Sequence, residues 1–190
     1  MNKPISNIEV YGFEKAIKAS KYPMLTDISK ATAEITPTVR KLALAPRGSA
    51  HDNFLNGILT KFDLTLTNKA WVEAERYHFF EFDSSQSTMH CIHKMDIRPQ
   101  CCEYVSDVII EEVERLKDVY LATRDPEDYL RLIYNVPSGF MLTAGMSTNY
   151  GQLKTIYYQR KSHRIPEWRL FCQQLEEEFP MFKELVLGGK

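Results

Sequence analysis

The stretch Ser147–Cys172 reads STNYGQLKTIYYQRKSHRIPEWRLFC, and the way it divides into helices decides the fold. Thr148 or Asn149 can cap a helix. Along that helix Asn149, Leu153, Ile156 and Arg160 share one face, because three- and four-residue steps return to the same side. At about 1.5 Å per residue, Asn149 and Arg160 lie roughly 16 Å apart. Pro166 stops this helix and can open the next, whose Trp168, Cys172, Leu175 and Phe179 make a second apolar stripe. Between the two stripes the charge is uneven. Arg160, Lys161, His163, Arg164 and Arg169 fall within ten residues of a chain whose net charge is −1. Arg160 ends the first stripe with Lys161 and Arg164 beside it, and it has two readings. A guanidinium can grip a phosphate with two parallel hydrogen bonds. Equally, cations in a last helical turn meet the helix dipole, each contributing about 0.3–1 kcal/mol.

Upstream, F-D-L-T-L at 62–66 alternates, with Phe62, Leu64 and Leu66 on one side and Asp63 and Thr65 on the other, which predicts a half-buried strand. Asn68 can cap the helical segment K-A-W-V-E-A-E-R-Y-H-F-F. The following D-S-S-Q-S-T-M-H-C-I-H-K-M-D-I reads as β or as an extended site segment. Glu103–Thr123 carries Val105, Val108, Ile109, Val113, Leu116 and Tyr120 at helical steps. Asp125 and Pro126 then begin another helix, which N-V-P-S-G-F ends. The first 47 residues are less legible: a strand at Ile8–Tyr11, a helix at Phe13–Ser20, and turn signals at Pro23, Pro37 and Pro46. A-P-R-G-S-A-H-D-N-F-L is a loop by composition, leading to a short helix at Asn53–Ile58. A few strands and five or six helices predict an α+β fold: a mixed or antiparallel twisted sheet packed with helices, in one domain spanning 1–190.

With 190 residues, 44% hydrophobic and 26% charged, the chain is long enough to bury one substantial core. Near-neutral charge argues against broad nucleic-acid binding, so any anion site is local. No apolar run reaches membrane-spanning length, and M-N-K-P-I-S-N-I-E-V lacks the apolar core of a secretory leader. Cys91, Cys101, Cys102 and Cys172 form no spaced framework, which predicts reduced thiols and a cytoplasmic protein.

Several segments carry candidate chemistry. Arg76, Tyr77 and His78 follow a helix, and S-S-Q-S-T-M-H crowds hydroxyls and an amide around His90. Such a run suits a nucleotide pocket or, equally, a polar turn entering a strand. His90, Cys91 and His93, with Cys101 and Cys102, are zinc-ligand types, but their spacing fits neither paired C-x-x-C nor H-E-x-x-H. The adjacent pair Cys101 and Cys102 falls near a predicted helix start, where a thiol's pKa can drop. There is no Gly-rich phosphate loop and no nucleophile elbow.

On these residues the chain resembles the flavin-dependent thymidylate synthase family, also called thymidylate synthase complementing proteins. Asn149, Leu153 and Arg160 keep the spacing of that family's late N-x-R-x-L helix and its following arginine. P-E-W-R at 166–169 stands close to its next element, and N-V-P-S-G-F-M-L-T resembles the segment before it. Further upstream, Arg76 looks like a helix arginine of the family, and Gln86 and His90 keep its Gln-to-His spacing. The resemblance covers roughly residues 48–185. There are departures: Met89 and Cys91 replace the two arginines flanking the signature histidine, I-H-K-M-D-I-R replaces the rest of that signature, and Leu130 and Ile133 stand where the family has an acid and an arginine.

The resemblance implies an enzyme that methylates C5 of dUMP, or of a related pyrimidine nucleotide, using FAD, NADPH and methylenetetrahydrofolate. It also implies a homotetramer with sites built between subunits, acting on a mononucleotide and neither on nucleic acid nor at a membrane. Carried onto this chain, it implies substrate contacts from Arg160, Gln86, Ser87 and Arg76. Cofactor contacts would come from His90, Asn149, His51 and Arg164, with Arg160 central to catalysis and no metal. Arg76, His78, His93, Lys94 and Arg98 are the cations available to compensate for the missing signature arginines. The eroded signature also fits a non-catalytic oligomeric descendant that binds a nucleotide or a protein without flavin chemistry.

Overall fold

The computed structural model describes residues 3–189; Met1 and Asn2 of the stretch read for a leader lie outside them. Four strands, β1 (Ile5–Tyr11), β2 (Leu59–Thr67), β3 (Glu81–Ser85) and β4 (Met141–Asn149), form one antiparallel sheet in the order β1-β2-β4-β3. The expected α+β class is what the chain adopts, with every pairing antiparallel. β2 and β4 pair along their whole length, from Leu59 opposite Asn149 to Thr67 opposite Met141. The alternation in β2 falls as its sequence predicts. Phe62, Leu64 and Leu66 are buried, while Asp63 accepts from Asn7 Nδ2 at 2.6 Å and the Thr65 hydroxyl meets that of Thr143 at 2.8 Å.

Ten α-helices accompany the sheet among the described residues, with short 3-10 turns such as Asn53–Gly57 between them: α1 (Phe13–Ala19), α2 (Pro37–Ala43), α3 (Asn68–Ala74), α4 (Thr88–Cys91), α5 (Ile97–Gln100), α6 (Asp107–Thr123), α7 (Pro126–Tyr134), α8 (Tyr150–Arg160), α9 (Pro166–Glu178) and α10 (Phe182–Leu187). The main core joins the apolar face of the sheet to α1, α3, α8, α9 and α10, around Tyr150, Trp168, Phe171 and Phe182. A second cluster, around Ile92, Ile97, Ile110, Val113, Leu116, Leu132 and Phe140, packs the α6–α7 hairpin against α5 and the turn before it. Trp168, Cys172, Leu175 and Phe179 are all buried, as the stripe on α9 requires.

Several elements differ from their sequence reading. The 83–97 segment is a strand only to Ser85; Thr88–Cys91 and Ile97–Gln100 are short helices. The N-cap of α3 is Thr67, whose hydroxyl accepts from the Ala70 N–H at 3.3 Å, and Asn68 is the first helical residue. Pro37 is not a turn but the first residue of α2, behind the Thr36 cap. The clearest predicted helix begins at Asp107 rather than Glu103, and its inward face is Ile110, Val113 and Leu116. Val108 and Ile109, read as part of that stripe, are 75% and 45% exposed. β4 had no counterpart in the sequence reading at all.

Candidate functional site

α3 and β3 are joined by the turn 75–80, which lies beside the outer part of α8. From this turn Arg76, Tyr77 and His78, and from α8 Gln152, Thr155, Gln159 and Arg160, line a cavity of about 440 Å³. The last turn of α8 therefore presents Arg160 to a cavity, not to bulk water, and its side chain is only 13% exposed. Arg160 Nε donates to the Tyr77 hydroxyl at 2.6 Å, and Nη1 donates to Glu73 Oε2 at 2.8 Å. The guanidinium stands over two rings, 5.4 Å from the centre of Tyr77 and 5.0 Å from that of Trp168. Contacts of this kind are worth about 0.5–2 kcal/mol and fix the plane of the fork.

The same carboxylate receives a further donor. Trp168 Nε1 donates to Glu73 Oε2 at 3.2 Å. His163 Nδ1 accepts from the Ile165 backbone N–H at 3.2 Å. His163 Nε2 lies 2.8 Å from Arg160 Nη1, which can only donate, and 3.4 Å from Glu73 Oε2. Burial pushes the Tyr77 hydroxyl above its ordinary pKa, partly offset by the Arg160 hydrogen bond. Tyr77 thus stays protonated near neutrality and can donate to Gln159 Oε1 at 3.0 Å.

A second cavity, about 230 Å³, adjoins the first and shares Gln152 with it; Arg47, Asn56, Phe79 and Asn149 complete its lining. Asn149 is the N-cap of α8 and accepts from the Gln152 N–H at 2.9 Å. Gly151 lies beneath it: a Cβ there would run into Asn56 Oδ1, so the exposed Asn56 side chain would have to move, and would lie 3.1 Å from Arg47 Nη1. Arg47 is anchored from behind by Asp52, at 3.2 Å. Asp52 is fully buried and paired with Lys154, whose ammonium is 2.9 Å from Oδ2 and also donates to the carbonyls of Ala43 and Ala45. Asp52 Oδ1 has no hydrogen-bond partner.

Of the expected site residues, Arg76 and Arg160 meet in the larger cavity and Asn149 lines the smaller one. The others stand outside both. Gln86 extends the β3–β4 pairing, donating its N–H to Thr143 O and accepting from Thr143 N–H, each at 2.9 Å. Ser87 precedes α4 without a side-chain cap, and His90 is exposed on it. His51 is exposed in the turn before Asn53, and Arg164 is exposed after α8.

Two of the compensating cations are already engaged elsewhere. Arg98 is paired with Asp107 and Glu114, and the ring of His93 packs against Tyr120 and Tyr129. Cys101 is not activated: burial raises its thiol's pKa, and both adjacent cysteines precede the first turn of α6. Among the described residues no group of three or more His, Cys, Asp or Glu side chains gathers to hold a metal.

Sequence reasoning missed Glu73, Trp168 as a ring beneath Arg160, and the Arg47–Asp52–Lys154 anchor. Glu73 lies 87 positions from Arg160 in the chain, so no local spacing announces the pair. Lys154 did leave a trace: it is a charge between buried Leu153 and Ile156 on a helix, where an interior counter-ion is the natural demand.

The architecture is thus an antiparallel sheet backed by helices, with a cavity that Arg76, His78 and Arg160 line against a late helix. No family model and no curated sequence matches the chain. Its structure is similar to that of thymidylate synthase X from Helicobacter pylori with FAD and dUMP: the TM-score is 0.77 at 12% identity, over 96% of this chain and 96% of that one. A second structure, of the flavin-dependent thymidylate synthase of Helicobacter pylori complexed with FAD and dUMP, gives 0.74 at 11% identity, over 95% and 97%. The chain has the fold of the flavin-dependent thymidylate synthases, the fold that the sequence resemblance implied.

Proposed function

We propose that the chain is a divergent flavin-dependent thymidylate synthase-like enzyme, methylating C5 of dUMP or a related pyrimidine nucleotide. One observation carries this reading. In a chain whose fold matches synthases holding FAD and dUMP, the late-helix arginine points into a cavity that it shares with Arg76 and His78. There the phosphate of a mononucleotide would lie against Arg160 and Arg76, with ring and amide groups of Tyr77, Gln152 and Gln159 left for the sugar and base. A fixed guanidinium orients a substrate before reaction, and orientation can remove several kcal/mol from a barrier.

The smaller cavity has the donor set that a flavin dinucleotide calls for. Arg47 supplies a cation, Asn149 and Gln152 supply amides, and Phe79, 68% exposed, offers a ring face. These residues would hold FAD, whose flavin, when bound, would pass on hydride from NADPH, while the methylene group moves from methylenetetrahydrofolate to the uracil ring. Gln86, Ser87, His90, His51 and Arg164 lie outside these cavities, and in a homotetramer they would complete the site of a neighbouring copy. Sedimentation should then show a tetramer; a monomer at micromolar concentration would exclude shared sites.

The direct test is dUMP binding by calorimetry with Arg160→Ala alongside the wild-type protein, together with the visible spectrum after FAD is added. Retention of FAD, folate-dependent dUMP turnover, and at least a tenfold loss of dUMP affinity in the variant are expected. Equal dUMP affinity in the two proteins would leave Arg160 with only its helix-end role. A second reading rests on Met89 and Cys91, which replace two signature arginines, and on Glu73, which already neutralises Arg160: an oligomeric nucleotide binder without flavin chemistry. It predicts dUMP binding with neither FAD uptake nor turnover.

A further inference from the structure

Glu73 sits where an anion is expected. Its Oε2 atom receives Arg160 Nη1 at 2.8 Å and Trp168 Nε1 at 3.2 Å, and faces His163 Nε2 at 3.4 Å. Two donors, one from α8 and one from α9, thus converge on one oxygen delivered by α3, and Arg160 Nη1 also lies 2.8 Å from His163 Nε2. Such convergence on a single oxygen is the arrangement used to bind a phosphate or carboxylate ligand. Here the oxygen is built in. Both side chains of the ion pair are mostly enclosed, with 13% of Arg160 and 16% of Glu73 exposed, so water screens their attraction less than at a surface. Arg160 Nε is committed to Tyr77 at 2.6 Å, and the flanking rings keep the fork from swinging elsewhere.

We propose that Glu73 is the resident occupant of the Arg160 anion site and sets its affinity and selectivity for phosphate. This rests on the reading of the larger cavity as the nucleotide phosphate site. While Glu73 holds Nη1, an incoming phosphate meets a guanidinium whose charge is already balanced, and Arg76 is the one arginine of the cavity lining that keeps its full charge. A phosphate gains the Arg160 fork only as Glu73 yields it, so binding is an exchange of one anion for another. An exchange of this kind discriminates. A phosphate monoester, carrying up to two charges, displaces a carboxylate more readily than a singly charged phosphodiester does, and the uncharged nucleoside gains nothing from Arg160.

The test titrates inorganic phosphate, dUMP and deoxyuridine into the wild-type protein, Glu73→Gln and Arg160→Gln by calorimetry. Glutamine keeps an acceptor for Trp168 while removing the charge. The expected result is at least a tenfold gain in phosphate and dUMP affinity in Glu73→Gln, with deoxyuridine unchanged. If Arg160→Gln weakens dUMP binding but Glu73→Gln leaves it equal or weaker, the proposal falls and the phosphate site stands. If Arg160→Gln leaves dUMP affinity untouched, the site reading itself falls and takes the proposal with it.

Should Glu73→Gln fail to fold, the wild-type protein still decides. The chain has two tryptophans, Trp71 and Trp168, so 5-fluorotryptophan labelling gives two fluorine resonances. Saturating dUMP should move the Trp168 resonance, as its indole loses the Glu73 acceptor, and leave that of Trp71 in place. A Trp168 resonance that stays fixed at saturation would overturn the exchange.

Discussion

At Gly151 and Lys154 single atoms decide the shape of α8's first turn. Gly151 leaves room for the Asn56 amide, which fills the place a Cβ would take. Gly151→Ala should therefore push the exposed Asn56 side chain aside, a cost that offsets alanine's better helix propensity to within about 1 kcal/mol, and Asn56→Ala in the same chain should recover the helix gain. Urea denaturation of the single and double variants measures both. Lys154 is the reverse case, a charge required where apolar residues surround it. Its ammonium is satisfied by Asp52 and two carbonyls. Lys154→Met would leave the fully buried Asp52 with Arg47 as its remaining ion-pair partner and none at Oδ1, at a cost of up to about 3–5 kcal/mol. Replacing both, as Asp52→Leu with Lys154→Met, should cost less in the same denaturation series, because no buried charge is then left and the Arg47 that loses its partner is partly exposed. Asp52 also holds Arg47 at the smaller cavity. The double variant should accordingly bind FAD more weakly than its stability alone explains.

The cap of α8 is an element-scale test of whether Asn149 serves the helix, the cavity or both. Asn149→Ala removes the acceptor for the Gln152 N–H and should cost about 1 kcal/mol by thermal unfolding. Asn149→Ser keeps a cap but takes the amide out of the smaller cavity, so it should hold its melting temperature while losing FAD affinity. This cap, α8, α9 and β2 were legible in the sequence because each carries a strong local signal: a capping residue, a proline, or apolar residues at one period. β4 was not. Its inward side chains are Leu142, Ala144, Met146 and Thr148, and its outward positions are Thr143, Gly145 and Ser147. Small and unbranched residues give weak strand propensity, and what makes this segment a strand is β2 on one side and β3 on the other. The start of α6 was misplaced for a related reason. Val105 and Val108 continue the apolar count, but the chain enters the helix only at the Ser106 cap, and the tertiary contact of the second core selects Ile110 over Ile109. Arg160 was legible as an anion-seeking side chain, whereas its partner Glu73 belongs to a helix that only folding brings near.

For the whole molecule, the densest part of the core gives its stability a direction in pH. Cys172 is 2% exposed between the sheet and the last helices, and burial pushes its thiol from an ordinary value of 9.0 up to about 12. The hydroxyls of Tyr150 and Tyr157 are raised by the same cause. For each group the folded pKa lies above the unfolded one. The protonated form therefore favours the fold, and the contribution is complete below the unfolded value and lost as pH rises toward the folded one. Cys172 alone spans a window from about 9 to about 12, and a shift of that size corresponds to as much as about 4 kcal/mol across the window. Between pH 9 and 10 the tyrosines have scarcely begun to contribute, so the slope there belongs to the thiols, with half-buried Cys101 acting in the same direction. Urea midpoints should fall steadily from pH 8.5 to 10.5, and Cys172→Ala, although less stable at pH 7.5, should show a flatter decline than Cys101→Ala. Parallel declines in the two variants would mean that the thiol of α9 ionises in the folded protein, which a core closed over Cys172 does not allow.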